Sequence, residues 1–439
     1  MGNSRRLIAS LVAALLAYAL HAFGPSTHQR LLVLGALRWK LNSTPDVEVF
    51  VIRDTTHCED LHYHVPSETL FTACEDDHTT RFGWFPPLAN FDDAELGKRG
   101  RGSIHVINPK TLLSQRLVFD NFDSTFVTHG IDVISDPKRP DGEAVYIFAV
   151  NHVPDPDSAK ARSQIEVFYH VIGSSSVKHL RSVWHPLIRT PNDIFARSPT
   201  SFYVTNDHHY SRHGLMRTLE DLYHGANWTE TLHIRLDSLA TNHGAYSTEG
   251  VDASVALPDM HNSNGLGHGR SATEILVTSC ASGVLYIGKI SQEPANTTIT
   301  TNDLVAFDSI IDNPSYFSDP FASRWGTDHS GFLLPGLARA TDLGRTHRDP
   351  KATEPVIVWL ARPAKEKSKP GKSGAPISWE KRVLFEDDGN RIRSASASVL
   401  IAIDPKTSLE TGSSTGARKA WLFVTGFLSK NIIAVKIDL

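Results

Sequence analysis

The chain has 439 residues, enough to bury a large core as one domain or as two to three smaller ones. Its 44 Lys and Arg face 48 Asp and Glu for a formal net charge of -4, so no general basic field exists and nucleic acid is set aside as a partner. Only Cys58, Cys74 and Cys280 are present, which allows at most one intramolecular disulfide and excludes a disulfide-stapled scaffold.

In chain order, Arg5 and Arg6 precede an apolar run from Leu7 to Phe23, the layout of a secretory signal or signal anchor. Residues 1–24 are therefore assigned to a signal peptide or anchor, and the chain to the secretory pathway, secreted or membrane-anchored. A buried N-terminal helix is the alternative, and Gly2 without Ser or Thr at the sixth position makes myristoylation a weak one. Three sequons, at Asn42, Asn227 and Asn296, agree with lumenal exposure and a glycoprotein. Residues 25–46, Leu-rich between Arg30 and Lys40, read as an accessory helix or linker that packs on the domain or lies on a membrane, so lipid association through the N-terminal segment is expected.

From Val47 onward the pattern changes to short apolar runs separated by Asp, Gly, Pro and Ser. Examples are Val47–Ile52, Gly102–Ile107, Val145–Val150, Ile165–Val171, Ser201–Thr205, Ile275–Thr278, Val356–Leu360 and Trp421–Thr425. With no long amphipathic helices between them, the runs predict an all-β protein. Repeated strand–turn–strand units suggest propeller blades, and a sandwich is the alternative. A charged Gly/Pro/Ser-rich insertion near 361–376 and a shorter one from Thr407 to Arg418 read as exposed loops, the first of them mobile. The final run, Asn431–Leu439, is the terminal strand that propeller closure would require.

Polar clusters stand at strand ends or turns: Glu59-Asp60, the histidines His129 and His152, Asn192-Asp193, Asn262-Ser-Asn264-Gly265 and Asp312-Asn313. Carboxylates, amides and carbonyls without Cys/His metal spacing suit Ca²⁺ rather than Zn²⁺. Each dipeptide alone is an ordinary turn signal. His129 and His152, at the ends of neighbouring predicted strands, are placed as a proton-handling pair on a rigid sheet would be. No Gly-x-Ser-x-Gly elbow appears in a strand-to-helix setting, which argues against a serine hydrolase.

Taken together, Glu59-Asp60-Leu61, Thr128-His129-Gly130-Ile131, Val150-Asn151-His152, Asn192-Asp193-Ile194, Asn206-Asp207-His208, Asn264-Gly265 and Asp312-Asn313 resemble the serum paraoxonase/arylesterase family in order and spacing. The resemblance runs from about Val47 to Leu439 and is closest in the middle third. It implies a six-bladed β-propeller over residues 47–439, following an N-terminal hydrophobic helix, with two calcium ions in its channel. A catalytic ion would be held by Glu59, Asn192, Asn264, Asp312 and Asn313, with Asn262 an alternative to Asn264. A deeper structural ion would take Asp60, Asp193 and the Ile131 carbonyl. His129 would act as general base with His152 orienting it, and His208 resembles a third active-site histidine.

The activity so implied is hydrolysis of lactones or aryl esters, an arylesterase/lactonase acting on a small-molecule substrate. A calcium-stabilised propeller acting only as a binding module, and a related propeller acting as a carbohydrate lactonase or in condensation chemistry, are the alternatives. This sequence departs from the family in lacking a cysteine in its last strand, so closure would rest on strand pairing. A Cys58–Cys74 bridge and two buried thiols are both open. The segment from Pro314 to Trp325 also differs, which puts the pocket wall in question.

Overall fold

The computed structural model describes residues 26–158, 160–223, 225–240, 247–291, 293, 297–364, 378–404 and 418–439. The apolar run within residues 1–24, the sequon at Asn296, and nearly all of the insertions at 361–376 and 407–418 lie outside the described residues.

Six sheets form six blades of a β-propeller, each of four antiparallel strands, with a short fifth strand, Val118–Phe119, added in parallel to the outside of the second. Their inner strands are Cys58–His64, Thr128–Ser135, Pro191–Ser198, Ser263–His268, Ser315–Phe317 and Ala395–Ala402, taken as blades 1 to 6. Six apolar clusters fill the spaces between consecutive blades, for example Phe148, Val167, Phe202 and Ile234 between blades 2 and 3. Ile52, Val399 and Phe423 of blade 6 meet Cys58, Leu70 and Ile107 of blade 1 in the cluster that shuts the ring. These faces are buried on both sides, which is why the strands read as apolar runs with little alternation. A sandwich would bury one face of each sheet against one partner, and is excluded.

Closure depends on a strand from each end of the propeller. Glu48–Ile52 adds to the outside of blade 6, antiparallel to Ile432–Asp438, with Phe50 opposite Ala434. No cysteine is needed there. The disulfide instead joins Cys58 to Cys74 on the two innermost strands of blade 1, and Cys280 is free.

Residues 26–33 are helical and pack on the propeller. Val33 is buried, and the Arg30 guanidinium donates to the carbonyls of Asp221, Leu222 and Ala281. Among the described residues no helix is long and apolar enough to cross a membrane.

Five inner strands carry one extra residue near their first turn. In blade 1, Cys58 pairs with Cys74 and Leu61 with Thr72, so three steps on the inner strand match two on its neighbour. The same shift falls between Thr128 and Ile131, Pro191 and Ile194, Ser263 and Leu266, and Ala395 and Ser398. Such a bulge sets two consecutive residues against one and breaks the strict up-down alternation of a strand. It falls at Glu59-Asp60, His129-Gly130, Asn192-Asp193 and Asn264-Gly265. This is the local reason that adjacent polar residues both face the axis. In blades 1, 3, 4 and 6 a buried threonine on the second strand stabilises the irregularity: Thr72 donates to the Asp60 carbonyl, while the hydroxyls of Thr205, Thr278 and Thr425 accept from the N–H groups of Asp193, Gly265 and Ala397.

The Cys58–Cys74 bridge closes a loop of sequence separation 16. Replacing both cysteines by serine is expected to lower unfolding free energy by about 2–4 kcal/mol, read from denaturant midpoints with and without reductant.

Candidate active site

Five of the residues singled out in the sequence supply buried oxygens that have no hydrogen-bond partner among the described residues: Glu59 Oε2, Asn192 Oδ1, Asn264 Oδ1, Asp312 Oδ1 and Asn313 Oδ1. They come from blades 1, 3 and 4 and from the segment leading into blade 5. The amide orientations are set by their nitrogens: Asn313 Nδ2 donates to Glu59 Oε1 (2.9 Å) and Asn192 Nδ2 to Asp207 Oδ2 (3.4 Å). Asn262 is engaged at both ends, donating to the Asp207 carbonyl and accepting from the Ala281 N–H. Asn264 Oδ1, by contrast, has no partner among the described residues.

Native proteins leave few buried polar atoms unpaired, since each costs about 1–3 kcal/mol. Five around one channel form a donor set of oxygen alone. Charge sharpens the point. Burial, then Asp312 and Asp60, holds Glu59 well above the usual carboxylate range, and burial with Asp60 and Asp207 does the same to Asp312. Asp193 is raised by burial, Asp60 and Glu59, and Asp60 is pushed to about 6, chiefly by burial.

The deeper set differs. Asp60 accepts from the N–H groups of Leu61 (2.7 Å) and Ile131 (3.0 Å), and Asp193 from those of Ile194 and Leu266 (both 2.7 Å). These carboxylates are thus oriented by backbone, with further lone pairs on each oxygen. Gly130 makes the approach of blades 2 and 3 possible: a Cβ there would lie 2.4 Å from the Asn192 carbonyl and 2.6 Å from Asp193 Oδ1.

His129 and His152 meet as expected from their strands. His152 Nε2 lies 3.2 Å from His129 Nδ1, and His152 Nδ1 lies 2.8 Å from Ser163 Oγ. His129 Nε2 is 4.0 Å from Glu59 Oε1, so the pair borders the oxygen cluster. Burial dominates its titration, pulling His129 to about 3 and His152 well below its usual value, with Asp207 opposing in both. Both imidazoles are therefore neutral near pH 7.

His208 sits apart from the pair. Its Nδ1 contacts Asp207 Oδ1 and its Nε2 contacts Asp221 Oδ1, each at 3.0 Å. Burial and Arg217 lower its pKa, but the two carboxylates outweigh them and the net shift is upward. It stands between the carboxylates of Asp207 and Asp221.

An insertion after Cys74 covers this end of the channel. Its short helices His78–Gly83 and Ala94–Lys98 flank Trp84–Phe85, and Phe85 sets its edge on His129 (5.2 Å) and His152 (6.1 Å). Arg81, fully buried, donates to the carbonyls of His57 and Thr128 and lies over Phe85. A cavity of about 510 Å³ opens beside His152 and Asp207, walled by Pro86, Phe91, Trp184 and Ile188. Of the segment from Pro314 to Trp325, questioned above as a pocket wall, Ser315–Phe317 forms the inner strand of blade 5. The covering insertion and the threonines under the bulges were not read from the sequence. The apolar-Thr ending of the second strands was a visible signal.

A six-bladed propeller with buried oxygen donors and a neutral histidine pair on its axis is thus the class that fold and site define. The family model described as Arylesterase matches residues 110–256. Serum paraoxonase/arylesterase 1 of Mus musculus is 27% identical over 232 residues, 53% of this chain and 57% of that one. The Homo sapiens protein of the same name is 26% identical over the same shares. Serum paraoxonase/arylesterase 2 of Gallus gallus is 29% identical over 174 residues, 39% of this chain and 45% of that one. The chain spans about half the length of the curated relatives it matches. Over about half its length it is similar to members of the serum paraoxonase/arylesterase family, the family its motifs resemble. The family-model match contains His129, Ile131, His152, Asn192, Asp193 and His208, whereas Glu59, Asp60, Asn264, Asp312 and Asn313 join them through the fold.

Because the atoms facing Gly130 are backbone and a fixed carboxylate, Gly130→Ala is expected to lower stability by about 1–3 kcal/mol through overpacking. Thermal unfolding of the variant checks this.

Proposed function

We propose that the protein is a calcium-dependent hydrolase of lactones or aryl esters, an arylesterase/lactonase. The observation that carries the reading is the group of five unpartnered buried oxygens beside a neutral histidine pair. Two carboxylates and three amide oxygens fit a hard cation that takes oxygen ligands, and several buried like charges are tolerated only when protonated or neutralised. Glu59, Asn192, Asn264, Asp312 and Asn313 would hold one ion; Asp60, Asp193 and the Ile131 carbonyl would hold a second, structural one. A bound calcium ion supplies positive charge for the oxygen of the substrate carbonyl and for the oxyanion that develops there.

The chain's own groups do the proton work. His129 takes the proton of the attacking water, which its neutral state allows. His152, fixed by Ser163, positions the His129 ring through the contact at Nδ1. His208 keeps Asp207 in place beside both. Phe85 and the insertion that carries it shield the pair, and the cavity beside His152 offers apolar walls for the acyl or aryl portion of a substrate. A purely binding propeller would need the oxygen cluster for stability but has no use for a buried, neutral pair of imidazoles at the cavity edge.

On this reading the apolar run at residues 7–23 directs the chain to the secretory pathway, secreted or anchored, where it forms the only contact with lipid that we propose. Asn42 and Asn227 are exposed, as glycan acceptors must be.

Full-length protein assayed on aliphatic lactones and phenyl acetate is expected to turn over with calcium and to lose activity with chelator. His129→Gln should reduce kcat about 10²–10⁴-fold, the range for a positioned base, while calcium still raises its melting temperature. No turnover by folded, calcium-loaded protein on any of these substrates overturns the hydrolase reading.

Calcium binding is also linked to pH. With the folded-state pKa values of Glu59, Asp193 and Asp312 raised and that of Asp60 at about 6, protons compete with the cation below neutrality. A raised carboxyl favours the metal-free fold only while protonated, and that advantage is lost as pH rises through the folded pKa. The increase in melting temperature caused by calcium should therefore be larger at pH 8 than at pH 5.5, as calorimetric scans at matched ionic strength would detect.

A further inference from the structure

A second cluster lies farther down the same channel, outside the chemistry above. His62 belongs to the inner strand of blade 1, Asp132 to that of blade 2, and His268 closes that of blade 4. They stand three or four residues beyond Glu59, His129 and Asn264, hence about 10–13 Å deeper at the rise of a strand. His62 Nδ1 is 2.8 Å from Asp132 Oδ1 and His268 Nε2 is 2.8 Å from Asp132 Oδ2. One ligand atom from each residue falls within 4.8 Å of the other two.

The three groups are held for convergence. Asp132, its side chain only 3% exposed, accepts from the Val133 N–H (2.9 Å) and the Ala196 N–H (2.6 Å), which fixes the carboxylate plane. Phe195 stacks on the His268 ring with centroids 4.2 Å apart, and the two imidazoles meet edge to face at 5.7 Å. The side chains of His62 and His268 are 19% and 38% exposed, so water reaches the cluster from its open side.

We propose that His62, Asp132 and His268 form a zinc site that joins blades 1, 2 and 4 across the channel, with water completing the shell. Two imidazole nitrogens and one carboxylate oxygen suit Zn²⁺ and related first-row cations, whereas calcium prefers oxygen alone. Three protein ligands with one open position is the composition of zinc sites that retain exchangeable water. The backbone donors to Asp132 and the stack on His268 act as the outer support such ligands need. Binding replaces the two hydrogen bonds from His62 and His268 to Asp132. Each neutral imidazole keeps one N–H by shifting it to the other ring nitrogen, and a protonated one releases a proton.

The test uses the full chain stripped of metal, loaded with excess calcium, then titrated with Zn²⁺ by calorimetry, with Co²⁺ as an optical probe. One Zn²⁺ equivalent that calcium does not displace, a tetrahedral Co²⁺ spectrum, and a rise in melting temperature on Zn²⁺ addition are expected. His268→Gln and His62→Gln, in which the Gln amide can still donate to Asp132, should each fold but lose that equivalent and the Zn²⁺-dependent rise, measured against the same variant without zinc. Absence of zinc binding by the wild type overturns the proposal. So does an unchanged stoichiometry in folded His268→Gln and His62→Gln, which would assign the binding to other histidines.

Discussion

Four carboxylates crowd the axis of this propeller, and everything around them is arranged to tolerate the crowding. Glu59, Asp60 and Asp312 each raise the pKa of at least one of the others, Asp193 is raised by Asp60 and Glu59, and all four are buried. Burying such charges unpaired costs several kcal/mol for each ion. The fold answers Asp60 and Asp193 with backbone N–H donors on both oxygens. It leaves Glu59 and Asp312 each with an oxygen without a protein partner, and sets amide oxygens beside them. That division separates a set organised by the backbone from a set open to a cation.

The β-bulges are what make this density possible. In a regular strand, successive side chains point to opposite faces, so Glu59 and Asp60 would serve different surfaces. With one residue added to the inner strand of blade 1, both turn into the channel: Glu59 meets Asn313 ahead of blade 5, and Asp60 meets the Ile131 N–H of blade 2. Threonine hydroxyls occupy the places where the ladder is interrupted. The glycines after His129 and Asn264 then allow adjacent strands to close on the irregular backbone; a Cβ at Gly265 would sit 2.6 Å from the Asn313 Cα. The site is thus assembled by backbone irregularities that the packed cores between blades hold in register.

Much of this was legible in the chain, for identifiable reasons. Apolar runs such as Val145–Val150 and Trp421–Thr425 became strands because burial on both faces permits an uninterrupted apolar pattern. The doubled pairs Glu59-Asp60 and Asn192-Asp193 announced themselves because the bulge concentrates polar residues at one point of each inner strand. His62, Asp132 and His268 gave no such signal. They come from three blades, are separated by 70 and 136 residues, and share no local spacing, so only the closed ring brings them together. Phe85 was hidden for a different reason: its insertion is neither a blade strand nor a long helix, and its place over His129 follows from tertiary packing.

Depth along the channel also sorts the donor chemistry. Inner strands that present oxygen near their bulges present imidazole three or four residues later, as from Glu59 to His62 and from Asn264 to His268. At the lower level stands Asp132, next in sequence to Ile131, whose carbonyl we proposed for the deeper oxygen set. Its two imidazole partners, with its backbone donors, override burial and keep it ionised, in contrast to the raised carboxylates above. A cation that prefers oxygen would gain little by moving down to a carboxylate already shared by two histidines. On the two proposals above, the same six-fold frame would separate hard and borderline cations by where along each strand the polar residues fall.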